Sequence, residues 1–384
     1  MSFSVLALVV LVGLLGPLLA ARASWRIPVV VGELAGGIVI GLSGFSLVDP
    51  SSIDFHLLAT IGFGLTMVVV GSQIPVADAA VRALAPKGLI GALAVGCAAA
   101  ALGVAIAAVF GTGHAALYGV ILASSSAALV LPMLQSVGMR RTSVTQLIAQ
   151  VAIADVACIV ALPLVVAPER APEATIGALV IAAAAIVLVI VLRRLSRTDI
   201  RRRLHRFSER RRFALELRFS LLALFTFAAI AQFATLSIML AGFVFGLVLA
   251  AGGEPRRLAR QLFGITEGFF GPLFFVWLGA SLDLRTLAGH PQMILLGIVL
   301  GLAAVAAHLA SRVAGLPWSQ SIASAGQLGV PVAAVTLALQ SGSLAAGEDA
   351  AIILGALVTI ATSALATSFI ARKLAVRVSP RLAP

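Results

Sequence analysis

The stretch ILASSSAALVLP, residues 121–132, sets Ser124, Ser125 and Ser126 side by side within an otherwise apolar run and follows them with a proline. A run of that kind crossing hydrocarbon must be helical, because its peptide groups find no partner outside the helix. Adjacent hydroxyls and a proline allow such a helix to stop and restart, the first by competing for backbone acceptors, the second by removing a ladder donor. Serines also let helices pack closely or bond back to their own turn, so taken alone the stretch carries both readings. A shift of 206 residues takes Ser125 to Pro331, inside SAGQLGVPVAAV at residues 324–335. With Gly326, Gly329 and Pro331, this is the other strongly interrupted apolar run of the chain.

The same offset relates further runs. Leu34-Ala35-Gly36 in the second run returns as Leu240-Ala241-Gly242 in the ninth, 206 residues on. Gly71 of GLTMVVVGSQI in the third run corresponds to Gly279 of GPLFFVWLGASLDL in the tenth, at 208. The two copies of each pair lie seven runs apart, an odd number, so they cross in opposite senses. The reading is an all-α polytopic membrane protein of thirteen helices, each apolar run being roughly 17 to 25 residues and long enough to span a bilayer. Two inverted six-helix repeats, with discontinuous crossing helices, are joined by a linker helix at about residues 174–192. That build belongs to secondary transporters, whose site lies near the midplane between broken helices.

Charge placement agrees with this count. With the amino terminus outside, cytoplasmic connections hold 25 of the 27 Lys and Arg, eleven of them between Arg193 and Arg218, and only Arg170 and Arg285 fall outside. The positive-inside rule therefore predicts a multi-pass protein of the cell (inner or plasma) membrane, amino terminus outside and carboxyl terminus cytoplasmic. A content of 61% hydrophobic and 11% charged residues, with mean hydropathy +1.12, leaves no soluble domain of any size. The pI near 11.5 reflects loop charge that sets topology and meets anionic lipid, and no nucleic-acid partner is expected. The basic segment RRLSRTDIRRRLHRFSERRR after the linker reads as a surface helix, with Leu195, Ile200, Leu204 and Phe207 as its apolar stripe, or as a solvated loop. Cys97 and Cys158 read as small buried hydrophobes rather than a disulfide or a metal site. The first run, Val5 to Ala20, ends in Ala-Arg-Ala but lacks the positive n-region of a signal peptide, and its place in the repeat argues that it stays.

The chemistry has to come from polar groups at membrane depth. Of 15 acids, 13 fall in loops or near helix ends, leaving Glu33 and Asp155. An ionised carboxylate in mid-helix costs about 2.5 to 3.5 kcal/mol on insertion scales. Asp155 is therefore paired with a buried base, for which His308 is the deep candidate, or it binds a cation and a proton in turn. The second reading is preferred, with Ser124 to Ser126 supplying hydroxyls and freed carbonyls to a hard monovalent cation. Pro331 interrupts its helix or merely kinks it, and Gln327 is placed to help close the gap. No nucleophile constellation, phosphate loop or cofactor motif suggests an enzyme.

These residues carry a family resemblance. PVVVGELAGGIVIG, the Gly71 and Gly279 runs, ASSSAALVLPMLQSVGMRR, QVAIADVACIVALPLV and AGQLGVPVAAVTLALQSGSL together resemble the membrane domain of the second branch of the cation:proton antiporter superfamily. These are the Kef-type and NapA-type sodium or potassium/proton exchangers, with an NhaA/NapA-like fold. The resemblance implies a homodimer with a dimerisation subdomain at about residues 1–85 and 214–288, a moving core at about 86–168 and 290–373, and a linker with basic segment at about 174–213. It also implies a structural or gating role for Glu33. Three departures stand out: Ala154-Asp155 where many members carry two polar residues, His308 where electrogenic members often have Lys, and Gln327 in place of an acid. The nucleotide-binding domain that follows the membrane domain in Kef-type systems is not expected. The function expected is electroneutral exchange of Na+ or K+ for H+ by alternating access, with no cofactor. Export of a small organic ion, or a transport-inactive sensor, are the alternatives.

Overall fold

The computed structural model describes residues 1–21, 28–74, 78–126, 129–130, 142–196, 215–234, 236–252 and 256–378. They are helical, with no strand among them. In chain order the helices are α1 (Phe3–Gly13), α2 (Leu15–Ala20), α3 (Val29–Ile40), α4 (Ile53–Gln73), α5 (Ala79–Phe110), α6 (Ala115–Ala123), α7 (Thr142–Val166), α8 (Ala171–Ser196) and α9 (Leu215–Phe233). There follow α10 (Ile238–Gly252), α11 (Arg256–Ile265), α12 (Gly271–Ser281), α13 (Leu284–Gly289), α14 (Pro291–Leu309), α15 (Trp318–Ala323), α16 (Gly329–Ser341) and α17 (Glu348–Val378). Among the described residues nine segments are long and apolar enough to cross a membrane, and three shorter apolar helices lie at Val29–Ile40, Ile238–Gly252 and Gly329–Ala338. The predicted surface helix after the linker, and the carboxyl-terminal end of the run that begins with α6, lie outside the described residues.

The chain divides into two compact units. The first comprises Met1–Ala77 and Glu169–Leu282, and glycines set its packing. Gly37 of α3 meets α12 so closely that an added Cβ would lie 2.9 Å from the Gly279 Cα. Gly71 of α4 meets α10 in the same way, since a Cβ on Gly246 would lie 2.8 Å from the Gly71 Cα. Without side chains at these points the backbones approach within dispersion range, the main source of helix association where no water drives it. A five-residue π-helical turn at Thr266–Phe270 joins α11 to α12. α1 and α2 pack on α3, where a Cβ on Gly32 would lie 2.7 Å from the Gly16 Cα. On α8, Ile176, Leu179, Ile186 and Val187 are exposed, an apolar face of the kind that hydrocarbon covers.

The second unit comprises Asp78–Pro168 and Asp283–Pro384. Its α5 is stopped cleanly at both ends. Asp78 caps it by accepting the Ala80 amide at 2.8 Å, and Gly111, at φ 66°, takes the left-handed turn that ends it, a conformation that suits glycine. α5 packs on α6, α7 and α14, while α17 packs on α14, α15 and α16. Two of the elements in this unit are short because the helix is interrupted. α6 stops at Ala123, and α15 stops at Ala323, with five non-helical residues before α16 begins at Gly329. Pro331 is not the point of interruption. It occupies the first turn of α16, where a missing N–H costs nothing because that donor has no intrahelical acceptor. The chain opens upstream, at residues 324–328.

Candidate ion site at two interrupted helices

Where α6 ends, Ser124 turns extended, with φ −72° and ψ 148°. Ser124, Ser125 and Ser126 are then buried with 0%, 1% and 5% exposure, so their peptide and hydroxyl groups need partners inside the protein. The opposite break supplies them. The Ser126 amide donates to the Gly326 carbonyl at 2.9 Å, the Ser125 hydroxyl meets the Ser324 carbonyl at 2.9 Å, and the Ser124 hydroxyl meets Gln327 Oε1 at 2.9 Å. α17 supports the crossing from behind. The Gln327 amide donates to Thr359 Oγ1 at 3.3 Å, and the Ser363 hydroxyl donates to the Ala323 carbonyl at 2.6 Å.

His308, in the last turn of α14, has no exposed surface and uses both ring nitrogens. Nδ1 lies 2.8 Å from the Ala304 carbonyl and Nε2 lies 3.1 Å from Ser125 Oγ. The ring thus bonds to its own turn and to the serine break, and the less favoured reading, in which it pairs with Asp155, finds no such bond. Hydroxyls continue the network, Ser311 to Ser321 at 2.8 Å and Ser324 to the Ser321 carbonyl at 2.7 Å. Asp155 is 4% exposed on α7, and α7 packs against both interrupted helices through α6 and α16. Ala154 beside it is buried too, as is Cys158 one turn on.

The structure thus joins Ser124, Ser125, Ser126, Gln327 and His308 by hydrogen bonds, and places Asp155 on the helix that packs on both breaks. Glu33 lies in the other unit on α3, buried, with its stem against α2 near Gly16. Sequence reasoning passed over Ser324, Thr359 and Ser363. The last two belong with Thr367 to a stripe spaced by four residues on α17, all three buried, a periodicity visible in the sequence as TIATSALAT. It also passed over a cluster at the start of α17, where the buried Glu348 carboxylate accepts the Tyr118 hydroxyl at 2.6 Å, the Ala345 amide at 2.9 Å and His114 Nδ1 at 2.7 Å. Hydroxyls, carbonyls and a carboxylate at helix breaks are hard oxygen donors, the set a hard cation prefers.

The model of the family described as "Sodium/hydrogen exchanger, transmembrane" matches residues 6–376. The chain belongs to this family. These exchangers are membrane transporters rather than enzymes. The chain is 24% identical over 382 residues to the "Putative Na(+)/H(+) antiporter YjbQ" of Bacillus subtilis (strain 168), covering 93% of this chain and 61% of that relative. It therefore spans less than two thirds of that relative's length. Among solved structures, the sodium proton antiporter MjNhaP1 from Methanocaldococcus jannaschii at pH 8 superposes with a TM-score of 0.62 at 18% identity, over 96% of this chain and 97% of MjNhaP1. At that identity the likeness speaks for the fold.

Proposed function

We propose that this exchanger is an electroneutral monovalent cation/proton antiporter working by alternating access. Asp155 is its shared carrier, neutralised by a proton in one direction and by Na+ or K+ in the other. The observation that supports this best is the placement of a buried carboxylate on α7, which packs on both α6 and α16, the helices that flank the hydrogen-bonded breaks at 124–126 and 324–328. Ser124, Ser125 and Ser126 complete the ion site; Gln327 and His308 hold the breaks, Pro331 opens α16, and Glu33 serves as a scaffold or gate in the other unit.

The finer architecture belongs to the same proposal. Nine long spans, the three shorter apolar helices and α6 are consistent with thirteen crossings, with the amino terminus outside and the carboxyl terminus cytoplasmic. An inverted repeat is supported by the exchange of partners in the first unit. There α3 meets α12 and α4 meets α10, as a two-fold relating α3 to α10 and α4 to α12 would require. The first unit would form the homodimer and the second would move as the core. Membership of the second, Kef-type and NapA-type branch rests on the GELAGG and serine motifs, while the matched structure is of the NhaP type. The test is proton flux in proteoliposomes on adding NaCl, KCl or LiCl. Flux with at least one of these salts and none with choline chloride supports exchange; flux with none of them sinks it.

A further inference from the structure

With the His308 ring neutral, the hydrogen bonds around Ser125 contain one proton too few. A serine hydroxyl donates once, and a neutral imidazole carries a single N–H. The Ala304 carbonyl, 2.8 Å from Nδ1, has only lone pairs to offer, so the ring proton sits on Nδ1 and Nε2 is an acceptor. Ser125 Oγ then faces two acceptors at once, Nε2 at 3.1 Å and the Ser324 carbonyl at 2.9 Å. Turning the ring over does not help, because it would set carbon where both nitrogens now bond. A similar conflict at Ser124, which faces the Ile121 carbonyl at 2.8 Å and Gln327 Oε1 at 2.9 Å, disappears if the amide is turned so that its nitrogen donates. No such exchange exists at Ser125. His308 is fully buried and, among the described residues, its ring bonds to no acid, so it is neutral. With a neutral ring one buried acceptor goes without a donor whichever way the hydroxyl points, at a cost of about 1–3 kcal/mol.

We propose that the Ser324 main-chain carbonyl is a cation ligand together with the Ser125 hydroxyl oxygen, and that His308 is the residue that opens this pair. When Ser125 gives its proton to Nε2, the Ser324 carbonyl is left open at the break before α16, and lone pairs of Ser125 are free beside it. Among the described residues Ser125 is the donor to that carbonyl, and no other of them closes it. A monovalent cation bound across the two oxygens satisfies both and removes the deficit. His308 acts through Ser125 and is a positioning residue. Elements packed on α14 carry Arg82 and Lys87 (α5), Tyr118 (α6), Arg285 (α13), Arg312 (the turn at 310–314), and Glu348 and Asp349 (α17). None of these side chains hydrogen-bonds to the ring, whose partners are Ala304 and Ser125. The proposal rests on the exchange reading above and adds to it a ligand from the second break.

The test measures KM and kcat for sodium in proteoliposomes for the wild type, His308→Phe, His308→Gln, Ser125→Ala and the double variant Ser125→Ala with His308→Phe. Phenylalanine accepts no proton, so Ser125 must close the Ser324 carbonyl, and KM should rise about tenfold or more with kcat within about twofold. Glutamine restores an acceptor and should recover most of the affinity. In the Ser125→Ala background, where the carbonyl is already open, His308→Phe should add nothing to KM. An equal rise in both backgrounds, no rise at all, or no rescue by glutamine overturns the proposal. Absence of sodium-driven flux in the wild type instead overturns the exchange reading on which it rests. If His308→Phe does not assemble, nitrogen-15 spectra of the imidazole-labelled wild type in saturating sodium decide, with His308→Gln to assign the signal. A protonated Nε2 there contradicts the proposal, and an accepting Nε2 supports it.

Discussion

Gly326 has no room for a methyl group. A Cβ there would lie 2.9 Å from the Ser363 hydroxyl and 3.0 Å from the Ser363 Cβ, and the residue's carbonyl already receives the Ser126 amide. Gly326→Ala has to push α17 away from the break or pull the two breaks apart. The expected cost is that of overpacking, about 1–3 kcal/mol, read as a lower melting temperature in detergent and weaker cation-driven flux. A variant melting at or above the wild-type temperature would mean that α17 does not hold the break closed. Thr359, whose hydroxyl receives the Gln327 amide, is the milder probe. Thr359→Val leaves that buried N–H without its acceptor and should cost about 1–3 kcal/mol.

At the scale of elements, the break before α16 does not depend on its proline. Since Pro331 sits in the first turn, where its missing N–H is not needed, Pro331→Ala should leave exchange within about twofold of wild type. A loss beyond about tenfold would return the interruption to the proline. The sequence made both interruptions legible, because the serine run and the Gly326, Gly329 and Pro331 cluster fall at the same 206-residue offset as the runs at Leu34 and Leu240, but not where the second one falls. A proline tolerated in a helix interior and one opening a helix look alike until the preceding residues are seen to be non-helical. Helix identity was legible from hydropathy, as the long spans at Ala79–Phe110 and Pro168–Arg194 show. The partner of His308 was not. Depth alone suggested Asp155, whereas the ring is aimed by its own turn, through Nδ1 to Ala304, so that Nε2 reaches Ser125. The α17 hydroxyls escaped notice because Ser and Thr at i and i+4 are also ordinary small-residue packing.

For the whole molecule, the proposed topology places Ser51 and Gly347 outside and Ser208 within the cytoplasm. Single cysteines at these positions, in a Cys97→Ala background since Cys97, expected to be buried like Cys158, is exposed, should react with an impermeant reagent from outside at the first two and only from inside at the third. Reaction of Ser51→Cys from the cytoplasmic side would overturn the crossing count. One carboxylate neutralised in both directions moves no net charge, so exchange under a valinomycin-set potassium gradient should keep its rate and end-point at any potential; a shift with potential would refute one-for-one exchange. The most direct test of the central claim compares Asp155→Asn with Glu33→Gln in proteoliposomes and in sodium-dependent melting. Asparagine keeps the shape of Asp155 and removes the cost of its charge, so the variant should fold with an unchanged or higher melting temperature. Its cation-driven proton flux should be abolished. Sodium at a hundred times Kd should stabilise the wild type by about 2.7 kcal/mol and this variant not at all, while Glu33→Gln keeps at least part of the exchange. Wild-type exchange by Asp155→Asn, with Glu33→Gln inactive, would contradict the account.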